Sequence, residues 1–215
     1  MTYNTMLIYN PAAGPWDMTR PLKRLSSYLM KSGWKLELVE TAEPGDVTRR
    51  ARQAAERAID LVLVAGGDGT INEAAHGLGG TSTVMGIVPV GTGIILAHQL
   101  RMPVLSVVTP LQVKEVGDAL LRGRIQRVDL GVADNRRFVC WAGLGLDAEI
   151  AAQLEPRPRH VKRLGTLPYV VAAFSVASDY RGVRSNNMIE DHTFHTRALM
   201  IVASRTGSTG RTILK

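Results

Sequence analysis

The sequence predicts an α/β fold: a parallel sheet flanked by helices in the first half of the chain, followed by a more β-rich second lobe. Three observations carry this. Short apolar runs alternate with segments of helical periodicity through the first half of the chain. One run, Leu61–Ala65 (LVLVA), is apolar on both faces, as a central parallel strand must be. After about residue 125 the alternation gives way to paired strand-like segments. Strands separated by helices imply right-handed crossovers with helices on both faces of the sheet.

The elements follow in order. Thr5–Asn10 (TMLIYN) is an apolar run stopped by Asn-Pro, which disfavours continuation of a strand. Leu22, Leu25, Leu29 and Met30 fall on one helical face, with Pro21 early enough to sit in the first turn. Lys35–Val39 is a second strand. Gly45-Asp46 opens a helix carrying Val47, Ala51, Ala54, Ala55, Ala58 and Ile59, with Asp46 as its expected N-cap. Leu61–Ala65 and Val84–Pro89 are further strands, with the helical stretch Ile71–Leu78 between them. Beyond them, Arg127–Ala133 and Arg136–Ala142 form a hairpin around Asp134-Asn135, a turn-forming pair. A helix from about Asp147, a Pro/Arg-rich loop, a helix over Leu164–Ser178 and a strand at Ala198–Ala203 complete the chain. The division expected is an α/β domain over 1–125 and a more β-rich second domain over 126–215.

The bulk properties bound the function. At 215 residues, with 45% hydrophobic and 21% charged, the chain can bury a sizeable core. The net charge of +7 suits nucleotides, nucleic acid or an acidic membrane face, and suits equally arginines scattered over a solvated surface. Cys140 is the only cysteine, which excludes an internal disulfide and points to a reducing compartment. Its neighbours Phe138, Val139 and Trp141 mark a buried thiol. Met1–Tyr9 lacks a basic region ahead of its apolar run, so no signal peptide is expected. The longest apolar stretch, Leu167–Ala177, is too short to cross a bilayer, which leaves peripheral contact.

Gly66-Gly67-Asp68-Gly69-Thr70 lies directly after the buried strand and directly before a helix. Glycines there let the chain turn sharply and bring backbone N–H groups close to a ligand. The helix start adds unpaired N–H groups and a positive dipole end, at the sheet edge where α/β proteins bind ligands. A carboxylate among phosphates is repelled, by roughly 4 kcal/mol for unit charges at about 4 Å and an effective dielectric near 20. Asp68 is tolerable there if it faces Mg²⁺ or takes a proton from an attacking hydroxyl. The plain alternative is that it caps the following helix through the N–H of Thr70 or Ile71. Pro89-Val90-Gly91-Thr92-Gly93 also ends a strand, and Gly143-Leu144-Gly145-Leu146-Asp147 follows the hairpin.

Taken together, these motifs resemble the diacylglycerol-kinase catalytic family, which includes sphingosine kinases and bacterial lipid kinases. Asn10-Pro11-Ala12-Ala13-Gly14 is similar to the family's Asn-Pro-x-x-Gly loop, and Thr41 stands where the family has a nucleotide-contacting threonine. Gly66–Asn72 with Glu73 resembles the Gly-Gly-Asp-Gly-Thr-x-Asn-Glu signature. Thr92 falls in a Gly-Thr-Gly loop, and Ala142–Glu149 resembles the segment opening the lipid-binding lobe. The resemblance implies an NAD kinase/diacylglycerol kinase-like fold and ATP-dependent phosphorylation of a lipid alcohol such as diacylglycerol or a sphingoid base. It implies ATP with Mg²⁺, held by Asn10, Pro11, Ala12, Ala13, Gly14, Thr41, Gly66, Gly67, Asp68, Gly69, Thr70, Ile71, Asn72 and Thr92. Asp68 would be the acid at the reacting phosphate, and Asp147 would position the lipid hydroxyl. The implied partners are the lipid, a membrane surface touched from the cytoplasm and a second copy of the chain, with no nucleic acid.

The sequence departs from the family in three places. Ile94-Ile95 replace a polar pair after the Gly-Thr-Gly loop, which would set Ile94 facing the transferred phosphate. Ser204-Arg205-Thr206 replaces Ser-Asn-Thr, and the family's later acidic residue and structural metal site lie beyond Lys215. On that ground the second lobe is expected to be incomplete and this chain nearly inactive. A catalytically inactive nucleotide- or lipid-binding protein is the alternative, with NAD kinase as a further one. Asp191-His192-Thr193-Phe194-His195 reads as a polar turn against a metal site, and Arg157, Arg159, His160, Lys162 and Arg163 as a solvated loop against a headgroup site. Which lipid is phosphorylated is not legible.

Overall fold

Four parallel strands, β1 (Asn4–Tyr9), β2 (Lys35–Glu40), β3 (Leu61–Gly66) and β4 (Val84–Pro89), form a sheet in the order β2-β1-β3-β4. The computed structural model describes residues 2–11, 16–90, 94–105, 111–154, 167–177, 180–189 and 191–204. Ala12, Ala13, Gly14 and Thr92 lie outside the described residues, as does the Arg157–Arg163 cluster. The described residues fall into two compact units, one up to Cys140 and one from Trp141.

In the first unit β3 and β4 are buried at every position, which explains their unbroken apolar sequences. Alternation along β1 sends Leu7 and Tyr9 into one core with Leu63, Ala65 and Val88. That core is closed by α1 (Thr19–Lys31), whose Leu22, Leu25 and Leu29 are fully buried. Met30, expected on the same face, is 53% exposed, because the buried stripe is only one residue wide at that turn. On the sequence side, α2 (Asp46–Glu56) follows β2 and α3 (Asp68–Leu78) follows β3, and these two helices pack together. Their approach is close: a Cβ on Gly77 would lie 2.5 Å from the Thr48 carbonyl oxygen, and the Thr48 hydroxyl donates to the Glu73 carbonyl at 2.9 Å.

Asp46 is not the N-cap of α2. Gly45 holds that position with φ 84°, a conformation that favours glycine. Asp46, 4% exposed, instead reaches back to accept the Ala42 amide at 2.9 Å and the Glu43 amide at 3.4 Å, and pairs with Arg49. The helix ends at Glu56, so Ala58, at φ 53° and exposed, does not extend its apolar face.

After β4 come α4 (Ile95–Gln99) and α5 (Leu111–Leu121), neither of which the sequence pattern brought out. The Tyr28 hydroxyl on α1 donates to Asp118 on α5 at 2.6 Å. The hairpin is shorter than expected: β5 (Gly131–Ala133) pairs with β6 (Arg136–Phe138) around Asp134, which takes φ 51°. It packs within the first unit.

In the second unit β7 (Trp141–Gly145) leads into α6 (Leu146–Leu154), which packs against α7 (Leu167–Ala177). A hairpin of β8 (Val183–Ile189) and β9 (His192–Ala198) follows, and β10 (Met200–Ser204) pairs antiparallel with β7. His192 and His195 stand on β9 and not in a polar turn. His195 shares a hydrogen bond with Asn186 at 2.8 Å, and His192 stacks on Phe194.

Candidate functional site

Because β1 to β4 are parallel, the segments that leave their carboxyl ends gather at one edge of the sheet. Tyr9 pairs in register with Glu40 and Ala65, and Gly66 with Pro89. Asn10-Pro11, Thr41 and Gly66–Thr70 therefore emerge side by side, as expected of a ligand edge. Asn10 and Pro11 are half-buried. Thr41 is 3% exposed, and both its amide (2.9 Å) and its hydroxyl (3.2 Å) donate to the Tyr9 carbonyl. The Tyr9 hydroxyl in turn donates to Glu40 at 2.9 Å, and burial, followed by this bond, raises its pKa.

The three glycines of the central loop have different reasons to be glycine. A Cβ on Gly66 would meet the Thr70 Cβ and Oγ1 at 2.5 Å, so the loop closes tightly on its own helix there. Gly67 and Gly69 have nothing within 4 Å of such a Cβ. Their bare backbone faces open space at the start of α3, where the first intrahelical amide bond runs from Ile71 to the Gly67 carbonyl at 3.0 Å. This is an open cradle beside a positive helix end. Ile71 itself is fully buried, so only its backbone belongs to the loop surface.

Asp68 is not a capping residue. Gly67 occupies the N-cap and no side chain caps α3. The Asp68 Oδ1 instead accepts the Leu96 amide of α4 at 3.5 Å and the Cys140 thiol at 3.7 Å. Burial first, and then the Asp68 charge, push the Cys140 pKa up to about 12, so the thiol is an inert donor. One turn on, Asn72 Oδ1 accepts the Val139 amide at 3.0 Å, and another turn on, His76 Nδ1 accepts the Arg137 amide at 3.2 Å. On the far side of α3, Glu73 has its pKa raised by burial, against the lowering effect of the Gly45 amide.

Ile94 does not face a phosphate. Its side chain is 4% exposed and packs inward as α4 begins, while the backbone two residues on reaches Asp68. Asp147 stands on α6, in the other unit. Sequence reasoning missed the Leu96 amide, the Asn72–Val139 bond and the Cys140 contact; no local pattern signals residues that meet across 28 to 72 positions.

Two further features bear on the site. An apolar cavity of about 220 Å³ is lined by Tyr3, Trp34, Leu61, Val84, Leu120 and Ile125. Several of these residues precede or begin strands, so it lies at the edge opposite the loops. Among the described residues, no group of three or more His, Cys, Asp or Glu could hold a metal ion, and no helix is long and apolar enough to cross a membrane.

The profile of the diacylglycerol kinase catalytic domain matches residues 4–133. A diacylglycerol kinase of Staphylococcus saprophyticus is 26% identical over 210 residues, covering 97% of this chain and 66% of its own length. That of Bacillus subtilis is 26% identical over 206 residues, covering 95% and 65%. The chain thus spans slightly under two thirds of these relatives. A crystal structure of a putative diacylglycerol kinase from Bacillus anthracis superposes with a TM-score of 0.67 at 22% identity, over 98% of this chain and 68% of that one. At that identity the match establishes the shared α/β fold with its β-rich C-terminal part.

Proposed function

The chain belongs to the diacylglycerol kinase catalytic-domain family, and from that premise we propose that it transfers the γ-phosphoryl group of ATP to the hydroxyl of a lipid alcohol, such as diacylglycerol or a sphingoid base. The observation that carries the reading is one carboxylate set between two glycines whose faces are open: Gly67 and Gly69 have empty space above them, and Asp68 begins α3 between them.

Gly67 and Gly69 admit phosphate oxygens to the backbone, and the positive end of α3 balances their charge. Asn10–Gly14, Thr41, the rest of Gly66–Asn72 and Thr92 complete the nucleotide site. Asp68 is the acidic group at the transferred phosphate, where it takes the hydroxyl proton or faces the accompanying cation. Mg²⁺ in nucleotide sites leans on substrate phosphates and one or two carboxylates, a demand the single Asp68 fits. It supplies neutralisation of the phosphate charge; in-line transfer otherwise needs mainly positioning. Asp147 orients the lipid hydroxyl.

The second unit exposes Val171, Met188, Leu199 and Met200, each more than half accessible, which supports contact with a lipid surface. The enzyme on this reading is cytoplasmic and peripheral at the membrane, takes no nucleic acid, and forms a homodimer.

The test has two arms. Titration calorimetry with ADP and Mg·ATP on this chain should give saturable heat, and its absence up to millimolar nucleotide sinks the reading. With the full natural reading frame, labelled phosphate should pass from γ-labelled ATP to diacylglycerol, sphingosine or a polyprenol in mixed micelles. Asp68→Asn, which keeps the shape and an oxygen to accept from Leu96 and Cys140, should abolish transfer and leave nucleotide binding intact or tighter. Wild-type turnover in that variant would remove Asp68 from the chemistry.

A further inference from the structure

We propose that Cys140 is a positioning residue for the Asp68 carboxylate, delivered to it by a segment that α3 holds in register; the inference rests on the kinase reading above. The Cys140 Sγ lies 3.7 Å from Asp68 Oδ1 and is joined there by the Leu96 amide at 3.5 Å. Two donors from separate elements thus converge on one oxygen, which fixes the plane of the carboxylate and the direction in which its second oxygen points. A carboxylate free to rotate would spend much of its time misdirected, and a misplacement of about 1 Å costs on the order of a hundredfold in rate.

The thiol does not reach Asp68 through general core packing alone. The Arg137 amide is held by His76, the Val139 amide by Asn72 and the Cys140 thiol by Asp68. The acceptors are spaced four residues apart along one face of α3, and the donors run in the opposite direction along their segment. Asn72 therefore has a second task beside the nucleotide: its Oδ1 anchors the residue next to Cys140. The site also keeps the thiol protonated, so it remains a donor at every physiological pH; Cys140 is 2% exposed. Thiols are weak donors, which sets the size of the effect.

Because Cys140 is the only cysteine, its S–H stretching band in the infrared reports on this contact alone. The band should lie lower in wild-type protein than in Asp68→Asn, where the acceptor is neutral. An identical band in the two proteins overturns the proposal, whatever the enzyme does. In the full reading frame, Cys140→Ala should lower kcat by about three- to tenfold, the worth of one ordinary hydrogen bond, with the KM for ATP unchanged. Cys140→Ser should keep most of kcat, because the hydroxyl still donates, even though burying it lowers Tm at least as much as Cys140→Ala does. A purely structural role predicts the opposite pattern, with kcat following Tm in both variants, and that result overturns the proposal. If Cys140→Ser does not fold, the band comparison and Cys140→Ala still decide. Should wild-type protein transfer phosphate to no lipid alcohol while the band shifts, the catalytic role falls with the kinase reading and the bond stands as a structural contact.

Discussion

Substituting alanine in turn for Gly66, Gly67 and Gly69 separates folding from binding within one loop. At Gly66 the new methyl would sit 2.5 Å from the Thr70 Cβ and Oγ1 and 2.7 Å from its Cγ2. Carbon pairs are comfortable at about 3.5–4.0 Å, so roughly 1 Å of movement is required. Thr70 cannot yield by a rotamer change, because its Cβ is among the clashing atoms, and its neighbour Ile71 is fully buried. Overpacking of this kind costs about 1–3 kcal/mol, which lowers Tm by about 2–12 °C for a chain of this size. At Gly67 the backbone is extended, with φ −93° and ψ −174°, and nothing lies within 4 Å, so alanine meets no clash and costs only the weaker N-cap, about 0.5–1 kcal/mol. At Gly69, exposed in the first turn of α3, alanine should add about 0.4–1 kcal/mol by restricting the unfolded chain. Nucleotide affinity should run the other way. Methyl groups at Gly67 and Gly69 fill the cradle, and losing a hydrogen bond to a charged group weakens ADP by about ten- to a hundredfold. Scanning calorimetry and ADP titration on the three variants provide both readings. Unchanged ADP affinity in Gly67→Ala and Gly69→Ala would refute the phosphate cradle, and a Gly66→Ala protein as stable as wild type would refute the steric reading of Thr70.

Ile94→Asn should lower stability by about 3–5 kcal/mol in chemical denaturation, since it removes a buried apolar side chain and leaves an amide without partners; gain of turnover without loss of stability would return Ile94 to the phosphate. Asp46 has its pKa held below the ordinary 3.8, chiefly by the Ala42 amide and then, against burial, by Arg49. Its contribution is therefore complete above that ordinary value and is lost as pH falls through the folded-state value beneath it. The gap in urea midpoint between wild type and Asp46→Asn should be full at neutral pH and close under acid; a gap constant with pH would contradict this. Cys140 in the folded chain should resist iodoacetamide at pH 8 and react fully in denaturant, and rapid labelling of native protein would show the thiol to be exposed.

The parts of the fold legible in the sequence are those that local chemistry decides. β1 ends where Asn-Pro forbids its extension, β3 is apolar on both faces because both are covered, and Leu22, Leu25 and Leu29 recur at helical spacing. The sheet edge at which these loops gather was legible for the same reason, since strand–glycine–helix order alone fixes where Gly66–Thr70 emerges. β8 and β9 escaped notice because VRSNNMI and HTFHTRA present a largely exposed pair whose polar residues break the alternation. Gly45 displaced Asp46 as N-cap because a left-handed backbone outweighs a good capping side chain. Ile94 was misread because a loop's sequence does not say which way the chain turns as it leaves. The surroundings of Asp68 were illegible for a different reason: the Leu96 amide and the Cys140 thiol come from segments at least 28 residues away.

The bonds from the 137–139 segment to α3 constrain the two sides unequally. Each uses a side chain of the helix and a main-chain N–H of the segment. Evolution can therefore rewrite the exposed side chain of Arg137 without touching its bond, provided the residue is not proline, while the buried Val139 is held by packing and not by the bond. Asn72 and His76 have no such freedom, because the acceptor atoms are their own. A saturation library should show narrow tolerance at Asn72 and broad tolerance at Arg137, interrupted by proline. Descendants of this sequence can thus drift at Arg137 while the helix beside it stays put, and two relatives that differ there can still hold Asp68 in the same way.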